Sequence, residues 1–408
     1  MFTRIIGQLV GTGSLEIVDG QGRCHKYGDG TGQPVRIRFC DRLLGWELCL
    51  NPRLKLGEAF MDGRLVIERG TLYEFLDLLI VNLDRGRNPW LVRMIDGLLR
   101  LLRPLAQLNG VDRSRRNVHH HYDLSGTLYD LFLDKDRQYS CAYFLPDDTL
   151  EMAQLRKKRH IAAKLLLKPG CRVLDIGCGW GGLALSIARE MECEVLGITL
   201  AEEQKKVADA RAKAAGLDHL VRFELIDYRQ VTGSFDRIVS VGMFEHVGVP
   251  QYATFFQTVN RLLAPDGVAL LHAIGRSDGP GVTNPWLKKY IFPGGYSPAL
   301  SEVIPHVEKA QMWVTDIEIL RLHYAETLRE WRRRFNANRD RIAKLYDERF
   351  CRMWEFYLIG SELAFRRQGH MVWQMQMAKD VATIPLTRDY IHEAEQTPLP
   401  SVGQALAG

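Results

Sequence analysis

The residues from Asp175 to Gly182 read Asp-Ile-Gly-Cys-Gly-Trp-Gly-Gly, and their types and spacing suit a ligand cradle. The apolar pair Val173-Leu174 runs into the acid, and a helix-like stretch, 183–190, follows the glycines. A strand that breaks into glycines and restarts as a helix is how nucleotide-binding α/β sheets begin. Glycine lets backbone approach a ligand where any Cβ would collide. The spacing is G-x-G-x-G-G rather than G-x-G-x-x-G, and no Lys-Ser or Lys-Thr follows. Neither a pyrophosphate nor a triphosphate grip is indicated. The plain alternative is a tight strand-to-helix turn that binds nothing.

The pattern D-x-G-x-G-x-G resembles the S-adenosylmethionine (SAM) loop of class I methyltransferases, with Asp175, Gly177, Cys178 and Gly179 at its centre. In an open parallel sheet a ligand sits at the carboxyl ends of the strands. A second strand, 194–199, ends in Thr199-Leu200, with Gln204 one helical turn on. Many SAM enzymes place an acid there for the ribose hydroxyls, and this chain places Thr199 instead. A third strand, 221–227, ends in Asp227-Tyr228-Arg229, suited to the edge and face of adenine. A fourth, 237–242, runs into Met243-Phe244-Glu245-His246, and a fifth, 268–275, carries His272 and Ile274.

These strands alternate with helical stretches at 183–190, 201–215 and 251–263. Alternating βα units imply a parallel sheet with right-handed crossovers. Two late strands, 314–322 and 371–378, are separated by helical sequence at 325–335 and 339–365. They suit a reversed edge hairpin. The expected fold is α/β, a Rossmann-like class I methyltransferase with a seven-stranded, mostly parallel sheet, preceded by a small α+β N-terminal domain. In that N-terminal unit, 13–18 and 35–39 alternate as half-buried strands between glycine turns, and 71–81 reads as helix. The division is placed at 1–112 for the N-terminal domain and 113–408 for the catalytic domain.

The chain has 408 residues, 46% hydrophobic and 25% charged, with a net charge of +5. That is ordinary for a soluble globular protein with room for two domains. No run approaches the roughly 20 apolar residues of a membrane-spanning helix, and no secretory signal is read at the start. The eight cysteines form no CxxC pair, so neither a disulfide framework nor a zinc site is expected. A reducing cytoplasm is the simplest compartment. His119, His120 and His121 are adjacent, cannot readily face one ion, and have no supporting cysteine or carboxylate pair; no metal is expected. Arginines crowd the stretch from Arg85 to Arg116, with Arg93, Arg100 and Arg103 near one face of a leucine-rich helix pattern. Such a helix suits an anionic membrane surface; the plain alternative is an interdomain helix. Stacking aromatics are not interleaved, so no nucleic acid partner is expected.

Taken in order, a set of phrases resembles the cyclopropane fatty acid synthases and the related mycolic acid cyclopropane synthases. They are His121-Tyr122-Asp123-Leu124-Ser125, Tyr139-Ser140-Cys141-Ala142-Tyr143-Phe144, the glycine loop, Gly197-Ile198-Thr199-Leu200, Phe244-Glu245-His246, Ile291-Phe292-Pro293-Gly294-Gly295 and His323-Tyr324-Ala325. The phrase from Leu56 to Gly63 is similar to the longer bacterial phospholipid enzymes. The resemblance implies attack of an acyl double bond on the SAM methyl, then loss of a methyl proton as the ring closes. It implies a bound bicarbonate as proton acceptor, cradled by Cys141, Glu245, His272, Ile274 (through backbone) and Tyr324. It adds Tyr139 and Ser140 to the cofactor residues. It also implies unsaturated phospholipid acyl chains as substrate, peripheral binding to the inner face of the membrane, and a homodimer.

Each catalytic candidate has a plainer reading alone: Cys141 a small buried residue, His272 a core histidine, Tyr324 a packing residue. Three other functions compete with ring formation. The same carbocation can lose a different proton and leave a methylene branch, the fold can methylate a small molecule, or the chain can be a lipid-binding module without turnover.

Overall fold

The computed structural model describes residues 2–84 and 126–396. The arginine-rich stretch from Arg85 to Arg116, the three adjacent histidines, the phrase 121–125 and the expected division at 112 lie outside them. The chain forms two compact units that interleave in sequence. One combines the described part of Met1–Arg103 with Val282–Pro293 and Leu328–His370. The other combines the described parts of Pro104–Gly281 and Met371–Gly408 with Gly294–Thr327. The N-terminal unit is therefore completed by two later segments that a single cut in the sequence assigns to the catalytic domain.

In the first unit, β1 (Leu15–Val18), β2 (Cys24–Tyr27), β3 (Val35–Phe39) and β4 (Leu65–Arg69) form a sheet in the order β2-β1-β3-β4. Strand β1 is parallel to β3, and the other neighbours are antiparallel. Alternation in β1 and β3 buries Leu15, Ile17, Val35, Ile37 and Phe39. The short β2, Cys-His-Lys-Tyr, has no fully buried position, so hydrophobic alternation could not reveal it. The core is closed by Ile359 and Leu363 from the helix Glu348–Arg367. Burial of that apolar face draws the late helix into this unit. From the segment 282–293, Trp286 packs so closely on Gly57 that a Cβ there would lie 2.4 Å from the indole nitrogen. The sequence expectation of one helical stretch over 339–365 is corrected: Arg339–Leu345 ends before Glu348–Arg367 begins. Asp347 caps the second helix, accepting from the Phe350 N–H at 2.6 Å, as short acidic side chains do at N-caps.

In the second unit, β5 (Arg172–Ile176), β6 (Glu194–Thr199), β7 (Val221–Leu225), β8 (Phe235–Val241), β9 (Leu263–Arg276), β10 (Trp313–Ile319) and β11 (His370–Ala378) form a seven-stranded sheet. The order is β10-β11-β9-β8-β5-β6-β7. Strands β5 to β9 pair in parallel, and β10 pairs antiparallel with β11 at one edge. Leu174 and Ile238 face one hydrophobic cluster while their neighbours Val173 and Val239 face another. In these two central strands both faces are buried, which explains why their sequences are mostly apolar. Among the described residues, no helix is long and apolar enough to cross a membrane.

Candidate active site

Because β5 lies between β6 and β8, the glycine loop that leaves β5 meets the carboxyl ends of its neighbours. There the structure has a cavity of about 170 Å3, where parallel sheets of this kind place ligands. The N–H groups of Gly177 and Cys178 both donate to the Ile198 carbonyl, at 2.9 and 3.0 Å, and pin the turn against β6. Gly177 has φ of 85°, and a Cβ there would lie 2.8 Å from the Met243 side chain. Gly179 has φ of 55°, and a Cβ there would meet no atom within 4 Å. The first glycine is required by packing, and the second leaves room on the cavity side.

Tyr139, Ser140, Asp175, Gly177, Cys178, Gly179, Thr199, Leu200, Gln204, Asp227 and Tyr228 all line this cavity. The Thr199 hydroxyl donates to Gln204 Oε1 at 2.9 Å, which leaves the Gln204 amide nitrogen as a donor. Asp227 accepts from Arg229 through both carboxylate oxygens, at 2.7 Å each, so its charge is already matched. Asp175 is buried with Oδ2 lacking a protein partner, and burial raises its carboxyl to about 7. Tyr139 stands edge-on to Tyr129.

Other lining residues were not foreseen from sequence. Asp136, Gln138, Trp180, Met243, His246 and Gln251 face the same space. Asp136 is buried, which alone would raise its carboxyl, yet Lys158 and Arg211 hold it at about 2. Asp136 and Gln138 stand just before Tyr139, and His246 just after Glu245. Proximity to phrases already singled out was the available signal.

The five residues expected to hold the proton acceptor lie outside the cavity lining, and three of them adjoin lining residues in sequence or across the sheet. Cys141 follows Ser140, and Glu245 precedes His246. His272 pairs across the sheet with Val241, which also lines the cavity. Glu245 Oε1 accepts from the Ile274 N–H at 2.6 Å. The Ile274 N–H therefore serves the carboxylate. The other oxygen, Glu245 Oε2, is buried without a protein partner. Burial raises this carboxyl to about 7, partly offset by the Ile274 N–H. His272 is buried beside Gln374, with Nδ1 and the amide nitrogen 3.2 Å apart, and desolvation holds its pKa well below the usual histidine value. It is a neutral ring. Cys141 is buried, and desolvation pushes its thiol far up; it is no thiolate nucleophile. The next residue, Ala142, donates its N–H to Thr327 Oγ1 at 3.0 Å. Thr327 stands one turn after Tyr324 on the helix His323–Ala337, so this bond brings the Cys141 segment to the helix face that carries Tyr324.

A buried carboxyl with one unpartnered oxygen, a neutral imidazole and a buried phenol are suited to hold and deprotonate a small polar group. The cavity beside them fits an adenosyl cofactor. Known proteins are similar to this chain. The family model for mycolic acid cyclopropane synthetase matches residues 110–375. The cyclopropane-fatty-acyl-phospholipid synthase of Escherichia coli strain K12 is 41% identical over 330 residues, covering 80% of this chain and 84% of that protein. A probable fatty acid methyltransferase of Pseudomonas putida is 40% identical over 352 residues, covering 82% and 86%. Among solved structures, mycolic acid cyclopropane synthase CmaA1, complexed with S-adenosylhomocysteine (SAH) and CTAB, is similar with a TM-score of 0.62 and 33% identity, covering 66% of this chain and 99% of that one. With such matches over both the sheet and its site, the chain belongs to the mycolic acid cyclopropane synthetase family.

Proposed function

We infer that this protein is a SAM-dependent cyclopropane-fatty-acyl-phospholipid synthase, and that bicarbonate serves it as proton acceptor. The reading is carried by one observation: the unpartnered, buried Glu245 Oε2 beside a cavity that fits the cofactor. Bound SAM supplies an electrophilic methyl, and bound bicarbonate supplies the base. The chain's own residues do the rest. The glycine loop admits the cofactor, while Thr199, Gln204 and Tyr228 orient its adenosyl portion. An alkene is a weak nucleophile, so fixing it in line with the sulfonium methyl supplies much of the rate. The double bond gains the methyl, one proton of that methyl leaves, and the ring closes.

When ionised, Glu245 would be a strong acceptor for a bicarbonate O–H and would hold that anion, whose other oxygens would supply the base. Neutral His272 and the Tyr324 hydroxyl can donate to those oxygens. The substrate is an unsaturated acyl chain of a membrane phospholipid, reached by peripheral binding through the N-terminal unit and the arginine-rich stretch. Binding of that kind weakens as salt screens exposed charge beyond about 10 Å at 0.1 M.

The test is incubation of protein, SAM and monounsaturated phospholipid vesicles, with NMR of the product lipid. Ring protons support the proposal. A methylene branch, of equal mass, moves the reading to a branching methyltransferase. Unchanged lipid from protein that binds SAM removes it.

A further inference from the structure

The segment that carries Tyr139, Ser140 and Cys141 has no regular secondary structure, so side chains must hold its shape. Most of them come from the helix Leu150–Lys164. Lys157 is 1% exposed. Its ammonium donates to Gln138 Oε1 at 2.5 Å and to Ser140 Oγ at 2.9 Å. One turn earlier, Gln154 Nε2 donates to the carbonyls of Gln138, at 3.3 Å, and Ser140, at 3.0 Å. The Ala153 carbonyl accepts from the Tyr143 N–H at 3.0 Å. At the far end of the segment, the Ala142 N–H is held by Thr327. Two of the residues so held, Gln138 and Ser140, line the cofactor cavity, and the next one, Cys141, belongs to the expected acceptor site.

A fully buried ammonium is a poor stability device, because its desolvation is not repaid by two neutral acceptors. An apolar side chain of the same length would fill the space with less penalty. What the ammonium supplies is a pair of charge-assisted hydrogen bonds, which are shorter and stronger than neutral ones. Both fall on the same three-residue stretch.

We propose that Lys157 is a positioning residue of the active site, whose ammonium clamps Gln138 and Ser140 so that Tyr139 and Ser140 face the cofactor and Cys141 faces the acceptor site. The proposal rests on reading the cavity as the SAM site. Desolvation lowers the Lys157 pKa to about 8, against the pull of Asp134 and Asp136. The charged and titratable groups around it are Asp134, Asp136, Lys158, Asp175, Cys141 and His272, the last held well below its usual range. Of these, Asp134 and Asp175 are raised only to about 6 and 7, and the Cys141 thiol is pushed far above. The clamp therefore loosens above about pH 8, in a window those neighbours leave clear.

The experiment is SAM titration calorimetry on the full chain from pH 7 to 9.5, for wild type, Lys157→Met and the double variant Gln138→Leu/Ser140→Ala, with folding checked by thermal melts. At pH 7, Lys157→Met should stay folded and bind SAM about tenfold or more weakly, the scale of a lost charged hydrogen bond. Wild-type affinity should fall as pH rises through 8, while Lys157→Met and the double variant should show little change. Wild type that fails to bind SAM removes the cavity reading and the proposal with it. Wild type that binds, with Lys157→Met within about threefold of it at pH 7, overturns the proposal alone. If Lys157→Met does not fold, the double variant decides: an alkaline loss as steep as that of wild type overturns the clamp.

Discussion

The cofactor cavity and the buried cluster beside it are neighbours built on opposite principles. The cavity is shaped by backbone: the Gly177 and Cys178 amides tied to Ile198, positive φ at the glycines, and a left-open space at Gly179. Several of its polar side chains are matched to one another, as in Thr199 with Gln204 and Asp227 with Arg229, with Asp175 the exception. The cluster is made of side chains taken out of water, one of them with a need left unmet. Glu245 keeps one oxygen without a protein partner, and its carboxyl is raised by burial. Binding a large cofactor needs shape, which backbone supplies at little electrostatic cost. Moving a proton near neutral pH needs a group displaced from its ordinary pKa, which burial supplies. The boundary between the two runs between adjacent residues, Ser140 from Cys141 and Glu245 from His246.

The contrast predicts that each region can be broken without the other. The largest effect is expected at Gly179. A phenylalanine there fills the space the backbone leaves open, so SAM binding should fall below detection. With no atom within 4 Å of a Cβ, the fold should survive with only the about 1–2 kcal/mol strain of a left-handed residue. Calorimetry and a thermal melt check both; loss of the fold itself would mean that the loop is a structural turn first.

Next is Glu245→Gln. SAM affinity should persist while ring formation drops by at least ~10²-fold, as for a lost acid–base function. Near-normal ring closure by this variant in carbonate-free buffer would hand the proton to another base. Tyr324→Phe should act in the same direction more weakly, since one donor to the anion is removed.

A further effect is on stability, and its sign is opposite. The Glu245 carboxyl titrates near 4.5 as an ordinary group and near 7 when folded. Ionising it therefore opposes folding: nothing is lost below pH 4.5, the penalty grows between 4.5 and 7, and it is complete above 7. At 1.36 kcal/mol per unit this is roughly 3 kcal/mol. Glu245→Gln should thus be more resistant to denaturant than wild type at pH 8 and equal to it at pH 4. Equal melts at both pH values would mean that the carboxyl is solvated, and the contrast between the two regions would fail.

Local sequence determined the parallel strands, because the central ones are buried on both faces and largely apolar, while the edge strand β7 alternates buried and exposed positions. It determined the glycine loop, because only a residue without Cβ meets both the positive φ and the close approach of Met243 at Gly177. It also named the strand-end residues that line the cavity, since strand ends converge in any sheet of this kind. Three things were decided by tertiary structure. The helix Glu348–Arg367 joins the N-terminal unit because its apolar face completes that core, and helical periodicity carries no address for the partner. The Ile274 amide goes to Glu245 because the loop after β8 passes over β9, a contact between segments 29 residues apart. Lys157 reads as one more cation on a charged helix until folding turns it inward onto Gln138 and Ser140. Local pattern fixes what each segment becomes, while side-chain partners separated in sequence are chosen only when burial leaves each polar group the neighbours it must satisfy.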